Sequence, residues 1–154
     1  MKSRMTTLVL ALIGLGMAST AWAEADLRLI DPWVRVLRPG SSVTGGFMML
    51  QNDGTTDDEL LSVSSPSAKT VEIHETVEKN GMMKMQKINK LHIAAGQKVE
   101  LRPGALHLMF LDVQETDEIK RKWITIKLNF KHSGVMEFKA PLRGDTSRTA
   151  KKGN

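Results

Sequence analysis

Hydrophobic and polar residues alternate along most of the chain after residue 26, in short runs separated by turn residues. Alternation with a period of two is the pattern of a half-buried β-strand. No stretch of the chain shows a convincing helical period. Ten runs are therefore predicted as strands, and they indicate an all-β sandwich with a single domain. The predicted strands are 27–30, 33–37, 45–51, 59–64, 70–77, 82–88, 97–101, 107–113, 123–130 and 135–140.

The predicted strand 107–113 places a histidine and a methionine on one face. Residues two apart in a strand point the same way and lie roughly 6.6 to 6.8 Å apart along it. His107 and Met109 therefore face together, while the apolar residues beside them face the other side. In strand 70–77 apolar and polar residues alternate, and His74 falls on the polar face.

Turn residues connect these strands. Lys79-Asn80-Gly81 tolerates positive φ and predicts a hairpin that brings His74 close to Met85. Arg102-Pro103-Gly104 predicts a turn that fixes the start of the strand bearing His107.

Two histidines and two methionines follow the spacing H-x10-M-x21-H-x-M and are candidates for one metal site. Thioether sulfur is a soft, uncharged donor, so two thioethers beside two imidazoles favour Cu(I) over harder ions. For each residue alone the alternative is structural, because methionine usually fills a core and a single histidine usually lies at the surface. The candidate ligands are His74, Met85, His107 and Met109. Packing is predicted for Met48, Met49, Met82, Met83 and Met136, and a surface position for His92 and His132; assistance to the site by Met82 or Met83 stays open.

The first 23 residues have the pattern of a secretory signal peptide. Positive charge in the first four residues is followed by an apolar run over 8–17, and Ala21-Trp22-Ala23 offers small residues where a signal peptidase reads. Cleavage after Ala23 is predicted, and an uncleaved anchor is the lesser alternative because the apolar run is short for a membrane span. Residues 24–142 then form the domain, and 143–154 form a polar tail predicted to be disordered.

The amino-acid composition excludes several kinds of functional site. The chain has no cysteine, which excludes a thiol–disulfide enzyme, a cysteine nucleophile and a blue-copper centre, since each needs a thiolate. Thioethers suit an oxidising compartment, because thiols there are lost to disulfides. Signal removal lowers the basic residues from 22 to 20, against 17 acidic ones. That excess is mild, and no basic stripe interleaved with aromatic residues indicates nucleic acid.

Further motifs accompany the ligand spacing. Pro32-Trp33-Val34-Arg35, Val71-Glu72-Ile73-His74 and Arg102-Pro103-Gly104 together resemble the periplasmic copper chaperone family PCu(A)C over roughly residues 31–142. The resemblance implies a cupredoxin-like Greek-key β-sandwich that binds one Cu(I) in the periplasm without catalysis. It implies four ligands, which are His74, Met85, His107 and Met109.

The resemblance also implies partners. It implies transfer of copper to the dinuclear copper site of cytochrome c oxidase, in subunit II, beside a Sco-type thiol protein. We expect a monomer with no membrane span after signal cleavage.

Three other functions stay open. A metal-free structural or adhesive exported sandwich would fit if the four residues are incidental. A redox enzyme or electron-transfer cupredoxin is disfavoured by the missing cysteine. Zinc carriage is disfavoured by the thioethers, although Glu72 and Glu75 lie near His74.

Overall fold

The computed structural model describes residues 25–144, so the predicted signal peptide and the rest of the predicted tail lie outside the described residues. The described chain forms ten strands and one helical turn, which confirms the predicted all-β class. The elements are β1 (Leu27–Arg35), β2 (Thr44–Asn52), β3 (Asp58–Ser64), β4 (Ala68–Lys79), β5 (Met82–Ile88), β6 (Leu91–Ile93), β7 (Lys98–Leu101), β8 (His107–Val113), α1 (Asp117–Lys120), β9 (Trp123–Phe130) and β10 (Val135–Arg143).

The strands form a sandwich whose sheets join into a closed ring. Neighbouring strands follow the order β5-β4-β8-β2-β1-β10-β9-β3-β6, and an additional pair between β3 and β4 closes the ring. The closing pair aligns Val63 with Val71. Closure leaves β5 beside β4, and among the described residues β5 has no other strand partner. The strand that bears Met85 is thus an edge strand.

The start of the chain differs from the predicted strands. The predicted strands 27–30 and 33–37 are one strand, β1, whose register against β2 shifts between Ile30 and Trp33. Asp31 lies in that bulge with a φ of 44°. A bulge accommodates a proline that an uninterrupted ladder would exclude, which is why Pro32 does not end the strand.

Two short elements were absent from the prediction. β6 is a three-residue strand that pairs with β3. α1 is a single turn, too short to show a helical period. Its N-cap is Thr116, whose side chain accepts a hydrogen bond from the Ile119 amide at 3.4 Å. Within residues 25–144, no helix is long and apolar enough to cross a membrane.

The predicted boundary between domain and tail falls one residue early. Arg143 is the last residue of β10, and its guanidinium donates two hydrogen bonds to the Asp31 carboxylate, at 2.7 and 3.0 Å. This fork joins the end of β10 to the bulge of β1, which pairs with β10 in parallel.

The inward faces of the strands share one apolar core. Leu108 and Phe110 are fully buried in it. Burial of such a side chain contributes about 1.5–3 kcal/mol. Because these two residues hold one face of β8 in the core, His107 and Met109 are presented on the other face, as the alternation predicted. Other fully buried side chains include Leu50, Leu60, Ile93, Ile124, Ile126 and Leu128.

The β4–β5 hairpin extends beyond its neighbour. Pairing of β4 with β8 ends where His74 lies opposite His107, the first residue of β8. Residues 75–79 then pair with residues 82–86 alone. The connecting residues Asn80 and Gly81 have φ values of 54° and 76°, the left-handed conformations that a two-residue hairpin turn requires. We call this extension, residues 75–86, the arm.

Candidate metal site

A pair of histidines lies across β4 and β8. His74 and His107 are direct partners in the antiparallel register, so their side chains share a face. Their ring centroids are 5.9 Å apart. With metal–nitrogen bonds of about 2 Å, two imidazoles on one ion have centres roughly 5 to 6 Å apart. The pair is therefore spaced to bind one metal ion.

The His107 ring is oriented by the turn that precedes it. Its Nδ1 is 2.8 Å from the Ala105 carbonyl oxygen. Because a carbonyl only accepts, Nδ1–H donates, and in the neutral ring Nε2 carries the lone pair. The Ala105 carbonyl is aimed by a turn in which Gly104 has a φ of 78°. This arrangement, with one ring nitrogen donating to a backbone carbonyl, is typical of metal-binding histidines.

The His74 ring is oriented by a carboxylate. Its Nε2 donates to Glu72 Oε2 at 2.8 Å, and Lys87 Nζ donates to the other carboxylate oxygen at 2.7 Å. The hydrogen bond from Lys87, followed by that from His74, holds the pKa of the Glu72 carboxyl below its usual value. His74 Nδ1 is buried and has no hydrogen-bond partner. A buried nitrogen with a lone pair and no protein donor is available to a metal ion.

The two methionines lie at one cavity with His107. Its volume is about 350 Å³, and Met85, His107 and Met109 are among the residues that line it. Met109 lies opposite Glu72 on β4 and opposite Gly45 on β2. A Cβ at Gly45 would come within 2.9 Å of the Phe47 ring, so glycine is needed where Phe47 packs beside the cavity. His74 borders this group through its contact with His107.

The residues that line the cavity are apolar, uncharged polar or basic. Phe47 is 6.5 Å from His107 between ring centroids, and the Arg35 guanidinium lies 5.3 Å from the centre of the Phe47 ring. Among the described residues that line the cavity, none is acidic. In the described part of the chain, no group of three or more histidine, cysteine, aspartate or glutamate side chains is arranged to hold a metal. The full lining is Arg35, Val36, Arg38, Ser41, Val43, Thr44, Gly45, Phe47, Thr76, Met85, Pro103, Gly104, His107 and Met109.

Exposure rises steeply across the candidate ligands. His107 is 6% exposed, Met109 is intermediate and Met85, on the arm, is 55% exposed. The prediction that Met82 and Met83 pack is wrong, since they are 70% and 66% exposed. The arm lies outside the core because it pairs with no third strand, and a sequence pattern does not show where a neighbouring strand begins.

The other predicted positions agree with the structure, except that of Met49. Met48 is buried, and Met136 is partly buried against the core. Met49 is half-buried outside the core, because it faces away from Met48 on β2. His92 and His132 are exposed.

Two contributors to the site were not predicted as such, the Glu72 carboxylate and the Ala105 carbonyl. Glu72 carried a usable signal, because residues two apart in a strand share a face and Glu72 precedes His74 by two. The Ala105 carbonyl carried none, since a backbone acceptor has no sequence signature beyond the turn itself.

Comparison with known proteins places the chain in a family. Over residues 27–142 it matches the family described as putative lipoprotein LpqE-like. The putative lipoprotein Lxx21020 of Leifsonia xyli subsp. xyli is 29% identical over 150 residues, which cover 91% of this chain and 89% of that one. The uncharacterized protein RP573 of Rickettsia prowazekii is 30% identical over 97 residues, or 58% of this chain and 52% of that one.

Solved structures share the fold. The copper-bound PCuAC domain from PmoF2 aligns with a TM-score of 0.66 and 18% identity, covering 80% of this chain and 97% of that domain. The CuI-DR1885 solution structure from Deinococcus radiodurans aligns with a TM-score of 0.62 and 19% identity, covering 83% and 85%. The fold is thus the cupredoxin-like fold of PCuAC domains, as predicted. The chain belongs to the LpqE-like family, and its predicted place in the PCu(A)C family is confirmed.

Proposed function

We propose that this protein binds one copper ion as Cu(I) through His74, Met85, His107 and Met109 and passes it to an acceptor. The observation that carries the proposal is the cross-strand histidine pair, with ring centroids 5.9 Å apart and a buried, unpartnered nitrogen on His74. Two thioethers line the cavity on which His107 opens. Structural neighbours of the same fold are described as copper-bound PCuAC and CuI-DR1885, which supports copper as the ion.

The donor set favours Cu(I). Two neutral imidazoles and two thioethers leave the +1 charge of the ion in place, and soft sulfur donors select Cu(I) over Cu(II) and over zinc. All four residues are assigned to the ion, and the protein is proposed to carry copper without catalysis. Since Met85 is 55% exposed, one ligand is open to exchange with an acceptor.

The proposed place of action is the periplasm. The predicted signal peptide indicates export, and the lipoprotein names of the family and of one relative agree with an exported protein. The proposed acceptor is the dinuclear copper site of cytochrome c oxidase subunit II, with a Sco-type thiol protein as a second partner. The protein is proposed to act as a monomer.

Copper binding is tested by an anaerobic Cu(I) titration of residues 24–154 against a chromogenic chelator. We expect one tight equivalent in the wild-type protein. His107→Ala and Met109→Leu should each weaken binding strongly. Met109→Leu roughly conserves volume and should cost less than about 1.5 kcal/mol of folding free energy. Met136→Leu is the matched control, since this methionine is on β10 and does not line the cavity.

X-ray absorption of the copper-loaded protein reports the donors directly. Two sulfur and two nitrogen neighbours are expected, with one sulfur lost in Met109→Leu. No competition with the chelator by the wild-type protein would refute the proposal and favour a metal-free sandwich. Tight binding with unchanged affinity in Met109→Leu would remove that residue from the ligand set.

Delivery is tested separately. Copper-loaded protein is mixed under reducing conditions with the apo copper domain of subunit II, with and without a Sco-type protein, and copper is measured after separation. Movement of copper to subunit II is expected. Retention of all copper by the donor in both mixtures would refute this acceptor while leaving copper binding intact.

A further inference from the structure

The arm carries more exposed methionine than the proposed site uses. Met82, Met83 and Met85 occupy three of the first four positions of β5, and each is more than half exposed. Methionine normally serves as a flexible filler of cores. Three thioethers on an exposed edge strand contribute little packing, so their chemistry as soft donors is the property left to explain.

Strand register separates these methionines by face. Met85 lies opposite Thr76 and Met83 lies opposite Glu78, two positions farther along the arm. Because Thr76 and Glu78 are two and four residues beyond His74, Met83 and Met85 are on the face that bears the histidine. Met82 lies opposite Lys79 on the other face.

The two methionines on the ligand face span the distance from the tip of the arm to the site. Met85 lines the 350 Å³ cavity with His107, whereas Met83 lines a hollow at the hairpin tip together with Met82, Lys79, Asn80 and Lys84. Their positions along the strand are roughly 6.6 to 6.8 Å apart. This is the same two-residue spacing as that of His107 and Met109, and two flexible thioether side chains can close on one ion across it.

We propose that Met83 and Met85 form an outer Cu(I) site through which copper enters and leaves the inner site. The inference rests on the proposed copper carriage. Copper is first held by the thioethers of Met83 and Met85. Met85 then keeps the ion while the two histidines and Met109 replace Met83, and release follows the reverse order. Every donor is neutral and copper stays +1, so the exchange moves no electron and needs no proton transfer between thioethers.

Charge differs between the two faces of the arm. On the ligand face the residue directly opposite Met83 is Glu78, and an exposed carboxylate attracts a positive ion. Lys79 and Lys84 fall on the other face by the same register, since Lys84 lies opposite Val77. Both lysines also line the hollow at the tip with Met83, so Glu78 favours a cation on the ligand face only.

The kinetic test compares Met83→Leu with Met82→Leu. The two residues are adjacent and almost equally exposed, but they lie on opposite faces, so Met82→Leu is a matched control. Stopped-flow mixing with a chelator measures copper loading and release anaerobically, and the affinity for the first equivalent is measured for every variant. Because Met83 binds only the intermediate, Met83→Leu should slow loading and release together, several-fold. Equal rates in the two variants would overturn the outer site.

A second test isolates the outer site. In a His74→Ala/His107→Ala background, Ag(I), a soft monovalent ion, is titrated while the methionine methyl signals are followed by NMR. The Met83 and Met85 methyls should shift together, the Met82 methyl should stay in place, and Met83→Leu should weaken the effect on Met85. Unshifted Met83 with shifted Met85 and Met109 would refute the outer site. Absence of tight Cu(I) binding by the wild-type protein would instead refute the copper function itself.

Discussion

Asp58 and His74 differ in how the protein satisfies their buried polar atoms. Asp58 is fully buried and fully hydrogen-bonded: Oδ1 accepts from the amides of Glu59 and His132 at 2.7 and 3.0 Å. Oδ2 accepts from the Ser133 amide and hydroxyl at 2.9 and 2.6 Å. His74, in contrast, keeps a buried Nδ1 without any partner.

The difference indicates a structural role for Asp58 and a ligand-binding role for His74. A buried polar atom without a partner costs about 1–3 kcal/mol. Where a polar group joins two segments, as Asp58 joins β3 to the turn after β9, this fold supplies every partner. At His74 one nitrogen is left to a ligand that the chain does not provide, and a metal ion would satisfy it.

The strongest test of this contrast is His74→Leu. Removal of a ligand should lower Cu(I) affinity by more than about 100-fold, beyond the 10- to 100-fold typical of outer-sphere partners. The free energy of unfolding of the metal-free protein should change little, because removal of the unpartnered nitrogen offsets loss of the hydrogen bond from His74 Nε2 to Glu72. Chelator competition and urea denaturation measure the two quantities. His92→Leu, at an exposed histidine, is the control for affinity. A metal-free protein clearly destabilised by His74→Leu would show that the histidine is structural.

The next effect concerns the support of that ligand. Glu72→Ala removes the carboxylate that orients the His74 ring. Loss of an outer-sphere partner should lower Cu(I) affinity about 10- to 100-fold without removing a donor from the X-ray absorption spectrum. Glu75→Ala is the matched control, because Glu75 directly follows His74 and lies on the other face of β4. Equal affinities in the two variants would mean that the ring is held without Glu72.

Asp58→Asn should produce the reverse pattern. The change removes the charge to which four hydrogen bonds are donated, so the free energy of unfolding should fall by about 1–3 kcal/mol. Cu(I) affinity should stay at the wild-type value, because Asp58 does not line the cavity. Urea denaturation measures the free energy of unfolding, and chelator competition measures the Cu(I) affinity. Loss of affinity would show that the region around Asp58 is coupled to the metal site.

The same residue predicts a pH dependence. Burial raises the pKa of the Asp58 carboxyl, but hydrogen bonds from Ser133, His132 and Glu59 outweigh burial and lower the pKa overall. A carboxyl with a lowered pKa in the folded state stabilises the fold above its unfolded value of about 3.9. That stabilisation is lost as pH falls below this value through the lowered folded pKa. Urea midpoints measured across this acid range should fall less steeply in Asp58→Asn than in the wild-type protein.

The sequence predicted those parts of the site that depend on strand alternation. A period of two placed His107 beside Met109 and placed His74 on a polar face, and Asn80-Gly81 predicted the hairpin that carries Met85. These features are local, so a few neighbouring residues determine them.

The features that the sequence did not predict correctly depend mostly on the position of other strands. The alignment of His74 with His107, which are more than thirty positions apart, follows from the pairing of β4 with β8. The sequence of neither strand determines that register. The exposure of Met83 follows from where β8 begins. Thr116 followed by Asp117 and Glu118 is a helix-start signal that could have predicted α1, had the single turn been given weight.

The smallest effect is expected at the exposed end of the site. Met85 lies on the arm, which has no third strand to fix it, so binding must order the arm and part of the gain from this ligand is offset. Met85→Leu should lower Cu(I) affinity less than Met109→Leu does, by about tenfold, or about 1.4 kcal/mol. Its free energy of unfolding should change by less than about 0.5 kcal/mol, as is usual at an exposed position. Met82→Leu, with no expected effect on affinity, is the control on the opposite face. An affinity loss as large as that of Met109→Leu would mean that the arm is already as well ordered without copper as the closed ring of strands. Exposure alone would then not make a ligand exchangeable.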